Sequence, residues 1–515
     1  MSYRYNLGLV ISALAEEVGD RPALKLMGGA AISYRELNRL ANRLARVLRD
    51  RGLRYRDVIG VVHDKTPVCY AAMVAALKIG AAYVNIDDQN PAPRLAHIFD
   101  SARPKFVIGN DLGKAVRECA ASAGAIPIDF KEGAFSDAVA GADESNIPEM
   151  DIVTGADPAY IMYTSGSTGI PKGALIAHAS VLNFGSWVGT RFGVSSDDVL
   201  TNVNPMYFDN SVFDFYGALL NGAALAPVPR ETLADGSALV RQVEDAKCTI
   251  WFSVPSLLIY LMTMKLLRAD RLTTVRSFVF GGEGYPKAEL RKLYAAYGSR
   301  SRFVNVYGPT ECTCICSAWD VSPSDLDGDG LVTLGPVAEN FSMLVLDGDR
   351  EVSAGSVGEL CLLGPQVGLG YVNDPERTAS AFPHNPSNRR WSERMYRTGD
   401  LVRLGSDGRR LDFIGRKDNQ IKHMGYRIEL EEIEAALNGI EGVLQSAVLQ
   451  KQSKRNQKII VAYVAVGRPM EETDLRTQLE KLLPPYMIPQ QIDVRSFLPK
   501  NANGKIDKIA LAALE

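Results

Sequence analysis

Helix-like and strand-like patterns alternate along the chain from Ser33 to the neighbourhood of Gly330, and this alternation limits the fold more than any other feature. Ser33 and Glu36 stand three apart, the spacing of a capping box. Leu37, Leu40, Ala41, Leu44 and Leu48 then recur on one helical face, and Gly52 marks a stop. A strand is predicted over Val58–Val62, a helix over Val68–Ile79 and a strand over Ala82–Ile86. Repetition of this order predicts an α/β architecture with largely parallel sheets.

From Leu331 the apolar runs shorten to Ser342–Leu346, Gly358–Leu363 and Leu411–Ile414, with turns such as Asp407-Gly408 between them. A small β-rich subdomain is expected here. After Gly415-Arg416-Lys417-Asp418 the pattern changes again. Leu430–Leu437 and Asp474–Leu483 read as helices, and Val443–Leu449 and Ile459–Val466 as strands. The chain therefore divides into residues 1–417 and a small α+β domain, 418–515, with a hinge in the polar stretch Arg416–Asn419.

A length of 515 residues exceeds one compact core, and 46% hydrophobic with 23% charged residues is the balance of a globular protein. A net charge of -3 supplies no field that would draw nucleic acid or an anionic membrane, and neither is expected as a partner. The best membrane-span candidate, Val68–Ile86, is broken by Lys78 and Gly80. Arg4 ahead of Leu7–Ala15 superficially resembles a signal peptide. The helical spacing of Leu7, Val10, Leu14 and Val18, followed on the same turn by Glu16 and Glu17, predicts an amphipathic helix instead. Seven scattered cysteines argue against a disulfide framework and for a reducing, cytoplasmic compartment. Cys312, Cys314 and Cys316 alternate as on one face of a strand, a spacing too tight for the usual zinc site.

The stretch Tyr163–Gly173 (YTSGSTGIPKG) follows the apolar run Ala159–Met162. Thr164, Ser165, Ser167 and Thr168 bring hydroxyls, Gly166, Gly169 and Gly173 bring backbone freedom, and Lys172 brings charge. Such a loop suits a polyphosphate. It lacks the Walker spacing. A flexible Gly/Ser connector is the plain alternative, and Lys172 with so many hydroxyls weighs against it.

This loop resembles the signature of the adenylate-forming superfamily of acyl-CoA synthetases, luciferases and amino-acid adenylation domains. Further stretches follow in the family's order: Leu77–Asp87 (LKIGAAYVNID), Gly281-Gly282-Glu283, Asn305–Glu311 (NVYGPTE) and Gly358-Glu359-Leu360. Tyr396–Asp400 (YRTGD), Gly415–Glu434 (GRKDNQIKHMGYRIELEEIE) and Leu498–Asp507 (LPKNANGKID) complete the set. The wording is most similar to adenylation domains of nonribosomal peptide synthetase type, including D-alanine–carrier protein ligase-like enzymes. The resemblance implies a large N-terminal region, a mobile C-terminal domain, and ATP and Mg2+ as cofactors.

It also implies roles. Thr164 to Gly169 and Lys172 would bind phosphates, Asn305 and Tyr307 the edge and face of the adenine, and Gly282 and Glu283 the nucleotide. Asp400 would accept from the ribose hydroxyls, and Arg416 would reach phosphate. Thr310 and Glu311 would act at the phosphates, with Glu311 also holding Mg2+. Lys505 would bridge the substrate carboxylate and the α-phosphate during adenylation, and Asp418 would be the hinge.

Asp209 stands where amino-acid-activating members carry the aspartate that pairs with the substrate ammonium. The plain alternative is a helix cap. Asn210, Phe213, Ser253, Val279, Gly281, Val306, Cys314 and Ile315 would complete a mostly apolar pocket for a small or medium uncharged amino acid. Asp214, one turn beyond Asn210, offers a second carboxylate that blurs the choice between α- and β-amino acids. No carrier module is read after the Lys505 motif, so the expected acceptor is the phosphopantetheine thiol of a separate carrier protein, unless the chain is a piece of a larger one. The competing readings are a ligase using free coenzyme A and a degenerate nucleotide-binding protein.

Overall fold

The computed structural model describes residues 4–166, 169–453, 458–501 and 505–514. The capping box forms: Ser33 Oγ accepts from the Glu36 N–H at 3.2 Å, and the Glu36 carboxylate accepts from the Ser33 N–H at 2.8 Å. The helix it starts runs Tyr34–Asp50. Val58–Val62 and Ala82–Ile86 are strands, joined by the helix Pro67–Ile79. That helix is buried on nearly every side, and Lys78, which interrupts its apolar run, is buried with it. The Lys78 ammonium donates to Asn38, Asn42 and Asn146, which offsets its desolvation.

Two large sheets result. One runs, edge to edge, Gly370–Tyr371, Lys172–Ala177, Pro158–Thr164, Ala82–Ile86, Val58–Val62, Phe106–Gly109 and Ile126–Asp129. The other runs Ser317–Asp320, Arg302–Tyr307, Ser277–Phe280, Ile250–Ser253, Val199–Asn202, Ala224–Pro227, Pro22–Lys25 and Ala31–Ser33. Most pairs are parallel; antiparallel pairs lie at both edges of the second sheet and towards one edge of the first, whose other edge strand, Ile126–Asp129, pairs in parallel. Buried on both faces, the inner strands are continuous apolar runs such as Ser277–Phe280. In open α/β sheets ligands gather beyond the carboxyl ends of the strands. Here those ends deliver Thr164, Ser253, Gly281 and Tyr307.

The β-rich region is a five-stranded antiparallel sheet that includes Ser342–Asp347, Val357–Leu363, Met395–Leu404 and Leu411–Arg416. Beyond Asn419 comes the hairpin Gln420–His423 and Tyr426–Glu429. The helix Leu430–Asn438 then leads into a three-stranded sheet of Val443–Gln452, Lys458–Val466 and Gln491–Arg495. These elements enclose a core of their own around Ile433, Val448, Ile460, Val464 and Leu479.

Two expectations are corrected. The first helix spans Leu7–Glu17, but its deepest stripe is Leu7, Ile11 and Ala15, while Val10, Leu14 and Val18 are half-buried. Cys312, Cys314 and Cys316 do not lie on a strand. Thr310–Cys312 is a 3-10 turn, and Thr313 and Cys314 take left-handed φ of 59 and 76. The turn folds this backbone onto Gly308, so closely that a Cβ on Gly308 would lie 2.1 Å from the Cys314 carbonyl oxygen. Close approach overrides side-chain alternation here. The three cysteines are buried and free, and among the described residues no cluster of ligands that could hold a metal is present. Gly308→Ala is expected to destabilise the chain by roughly 1–3 kcal/mol, the usual cost of overpacking, read as a lower urea midpoint at unchanged slope. An unchanged midpoint would show that this contact relaxes freely. Among the described residues no helix is long and apolar enough to cross a membrane.

Candidate active site

Two adjoining cavities open at the strand ends, of about 420 Å³ and about 1220 Å³. Gly282, Asp400, Arg416 and Lys422 line both. Asp209, Asn210 and Ser253 line the smaller one. Asp209 precedes the helix Asn210–Leu219 but makes no capping hydrogen bond. Its Oδ2 instead accepts from Thr310 Oγ1 at 2.6 Å. Burial pushes the Asp209 carboxyl pKa up, against the opposing pull of the Thr310 hydrogen bond and of Lys422 and Arg427. A carboxylate in that condition gains from a cationic partner.

Asp214 does not line either cavity. It is buried, and its Oδ2 accepts from Asn202 and Asn204, each at 3.0 Å. Burial raises its carboxyl pKa to about 7, opposed by the two asparagines and Lys65. Phe213, Val279, Gly281, Cys314 and Ile315, expected to line the substrate pocket, are buried and line neither cavity, and Val306 lines the larger one.

The lining of the larger cavity includes Gly282, Glu283, Asn305, Tyr307 and Leu334, so apolar, amide and charged groups share it. Glu283 accepts from the Ser256 N–H at 2.7 Å and the Gly425 N–H at 3.1 Å. Asn305 Nδ2 donates to the Thr333 carbonyl at 2.9 Å. The Asp400 carboxylate, expected to be open to ribose, is engaged on both oxygens. The Tyr307 hydroxyl donates to one, and Arg416 Nη1 donates to the other at 2.6 Å. Arg416 also forms a fork on Asp418, with both bonds at 2.6 Å. Its guanidinium thus binds two carboxylates and not the phosphate loop. Lys422 Nζ sits 5.4 Å from the centre of the Tyr307 ring, over the face expected to stack on adenine.

The strand Pro158–Thr164 ends at the phosphate loop. Among the described residues the buried Thr164 Oγ1 has no hydrogen-bond partner, which suits a phosphate oxygen. Ser165 Oγ donates to the Arg427 carbonyl at 2.8 Å, and the Gly166 N–H donates to Glu432 Oε2 at 3.3 Å. Ser167 and Thr168 lie outside the described residues, as do Asn503 and Gly504. Gly169, at φ 81, faces Ala435. Lys172 Nζ lies 3.5 Å from Glu311 Oε1. Burial lowers the Lys172 pKa, and Glu311 opposes that shift.

Glu311 is fully buried. The Tyr371 hydroxyl donates to Oε1 at 2.7 Å, and Arg427 Nη1 to Oε2 at 2.7 Å. Burial alone would raise its pKa, but Arg427, Lys172 and Tyr371 overcome that and hold it well below the carboxylate range. With both oxygens taken, Glu311 does not fit a Mg2+ ion in this arrangement. Lys505 is not brought to the site either: it is exposed and lines neither cavity.

Lys422, Arg427, Glu432 and Arg94 are the site residues that sequence reasoning assigned no role. Lys422 and Arg427 are cross-strand neighbours in the hairpin, hence on one face. That pairing was available in the alternation of KHMGYR. Nothing local marks Arg94.

A family model described as AMP-binding enzyme matches residues 12–372, and another described as AMP-binding enzyme C-terminal domain matches residues 432–505. The chain is 37% identical over 514 residues to surfactin synthase subunit 2 of Bacillus subtilis, covering 98% of this chain and 14% of that protein. It is 34% identical over 492 residues to a dimodular nonribosomal peptide synthase of Bacillus subtilis, covering 94% of this chain and 20% of that protein. The chain thus spans a fifth or less of the length of these two relatives. The fold is shared with NpsA-ThdA, an artificially fused adenylation–PCP di-domain NRPS from Klebsiella oxytoca. That match has a TM-score of 0.82 at 24% identity, over 96% of this chain and 94% of that one. The chain belongs to the AMP-binding, adenylate-forming enzymes and is an AMP-forming ligase.

Proposed function

We propose that the chain activates an amino acid with ATP and Mg2+, releasing pyrophosphate and forming an aminoacyl adenylate. It then passes the aminoacyl group to the phosphopantetheine thiol of a carrier protein. The observation that carries the amino-acid reading is Asp209. Its carboxylate lines the smaller cavity, is not spent on a helix cap, and is raised in pKa by burial. An acid without an amine would leave that charge unpaired. The relatives that are peptide synthases, and the di-domain structure with its PCP partner, support the carrier over free coenzyme A. Buried free cysteines support a cytoplasmic setting.

The roles follow from the cavities. The larger holds the nucleotide, with Asn305 and Tyr307 at the base and Asp400 at the ribose. The phosphate loop and Lys172 neutralise phosphate charge, and Thr310 stands between Asp209 and the reacting centre. Residues 418–515 form the mobile domain, hinged at Asp418, that brings either Lys505 or the hairpin to the cavity.

A panel of amino acids, scored by exchange of labelled pyrophosphate into ATP, tests this reading. A small or medium uncharged amino acid should stimulate exchange. Stimulation by simple carboxylic acids alone would remove the Asp209 argument and favour the coenzyme A reading.

A further inference from the structure

Asn204 lines the smaller cavity and is 5% exposed. Its Nδ2 donates to Asp214 Oδ2 at 3.0 Å and to the Phe252 carbonyl at 3.1 Å. A carbonyl can only accept, so the amide cannot be turned over, and both of its N–H bonds are spent. Among the described residues nothing donates to Asn204 Oδ1, yet it is not a sealed atom. It is a bare acceptor at the cavity wall. Asp214 holds it in place. The same Oδ2 accepts from Asn202 at 3.0 Å, and Asn202 is itself fixed by donors from Tyr70 and Lys65, each at 2.6 Å. The neighbouring Ser253 hydroxyl is already engaged, accepting from Trp251 Nε1 at 2.8 Å and donating to the Val254 carbonyl at 3.1 Å.

Asp209 and Asn204 are anchored on different strands. Asp209 accepts from Thr310, just past Arg302–Tyr307, and Asn204 donates to Phe252 within Ile250–Ser253. Ser277–Phe280 lies between these strands, so the anchors stand roughly 10 Å apart at ordinary strand spacing. One ammonium joins acceptors no more than roughly 6 Å apart. With the amine on Asp209, Asn204 Oδ1 therefore faces the far end of the substrate. We propose that Asn204 Oδ1, oriented by Asp214, reads an uncharged hydrogen-bond donor on the substrate side chain, a hydroxyl or a carboxamide. The inference rests on the amino-acid reading of the site. An aliphatic side chain would cover Oδ1 and leave it with neither water nor partner. Asp214 lines neither cavity and is already opposed by Lys65, so it offers no counter-charge to a cationic side chain. Asp214 is thus a positioning residue and not a second site for the amine.

Pyrophosphate exchange with near-isosteric pairs tests this: threonine against valine, asparagine against leucine, glutamine against methionine. In wild type the polar member of the best-accepted pair should exceed its apolar partner by roughly 10- to 100-fold in kcat/KM. Asn204→Leu should bring that ratio to one or below. Asp214→Val should lower it too, and Asp214→Asn, which keeps an acceptor for the Asn204 amide, should restore it. A purely structural role for Asp214 would depress both members of a pair alike and leave the ratio in place, against the proposal. A polar preference that survives in Asn204→Leu would overturn it, as would a wild type that prefers the apolar member of every pair. If circular dichroism shows Asn204→Leu to be misfolded, Asn204→Ala takes its place, and the wild-type panel decides independently of either. Silence of every amino acid defeats the amino-acid reading and this inference together. Ready turnover of the apolar members defeats this inference alone.

Discussion

Asp209→Ala is expected to raise the amino-acid KM by roughly two to four orders of magnitude and leave ATP binding nearly intact. Removing one member of a desolvated ion pair costs roughly 3–5 kcal/mol, because the remaining charge stays buried and unpaired. The geometry explains why the loss should fall on one substrate. Asp209 lines the smaller cavity, whereas Asn305 and Tyr307 line the larger one. Among the described residues its hydrogen-bond donor is Thr310, a neutral hydroxyl, at 2.6 Å. That bond relieves part of the desolvation but cancels no charge. Asp209→Asn separates charge from shape: the amide keeps the volume and can still accept from Thr310, yet cannot offset an ammonium. It should fail nearly as badly as alanine. If Asp209→Asn retains wild-type KM, the carboxylate serves Thr310 and not the amine, and the reading of the substrate as an amino acid loses its main support.

What the sequence made legible was local. The Ser33–Glu36 capping box, the strands Val58–Val62 and Ala82–Ile86 and the late helix Leu430–Asn438 each depend on residues a few positions apart. Their patterns survive without knowledge of the rest of the molecule. The run Cys312–Cys316 failed for the opposite reason. Its backbone is bent by a contact with Gly308, which strand alternation does not encode. Arg427 and Glu432 are harder still. Both stand in a stretch recognised as characteristic, but their partners Glu311 and Arg94 lie 116 and 338 positions away. Which partner they meet is set by how the C-terminal domain is turned, a property of two packed bodies and not of any window of sequence. On the proposed movement of that domain, the same holds for Asp400 and Lys505, whose expected ligands would belong to its other arrangement.

That arrangement is the subject of the second large effect. Lys505→Ala should reduce adenylate formation by at least about 10²–10³-fold, the usual loss when one stabilising donor leaves a charged transition state. It should still transfer a supplied aminoacyl adenylate to a carrier. The structure supports this split, because Lys505 is exposed and lines neither cavity, while Lys422 lines both and Arg427 the smaller one. The thiol step starts from a carboxylate already joined to phosphate, so it needs no lysine to align the two. Asp418→Pro should show the reverse, with adenylation preserved and transfer impaired. Asp418 grips Arg416 through two bonds of 2.6 Å, and Arg416 in turn grips Asp400 at 2.6 Å. The substitution removes that clamp from the docked state and fixes φ near one value in the segment that must turn. Asp418→Ala removes the clamp alone, so any further loss in the proline variant measures the restricted turn. Single-turnover assays of the two half-reactions distinguish these outcomes. If Lys505→Ala and Asp418→Pro damage the same half-reaction to the same extent, the C-terminal domain does not divide its work between two positions.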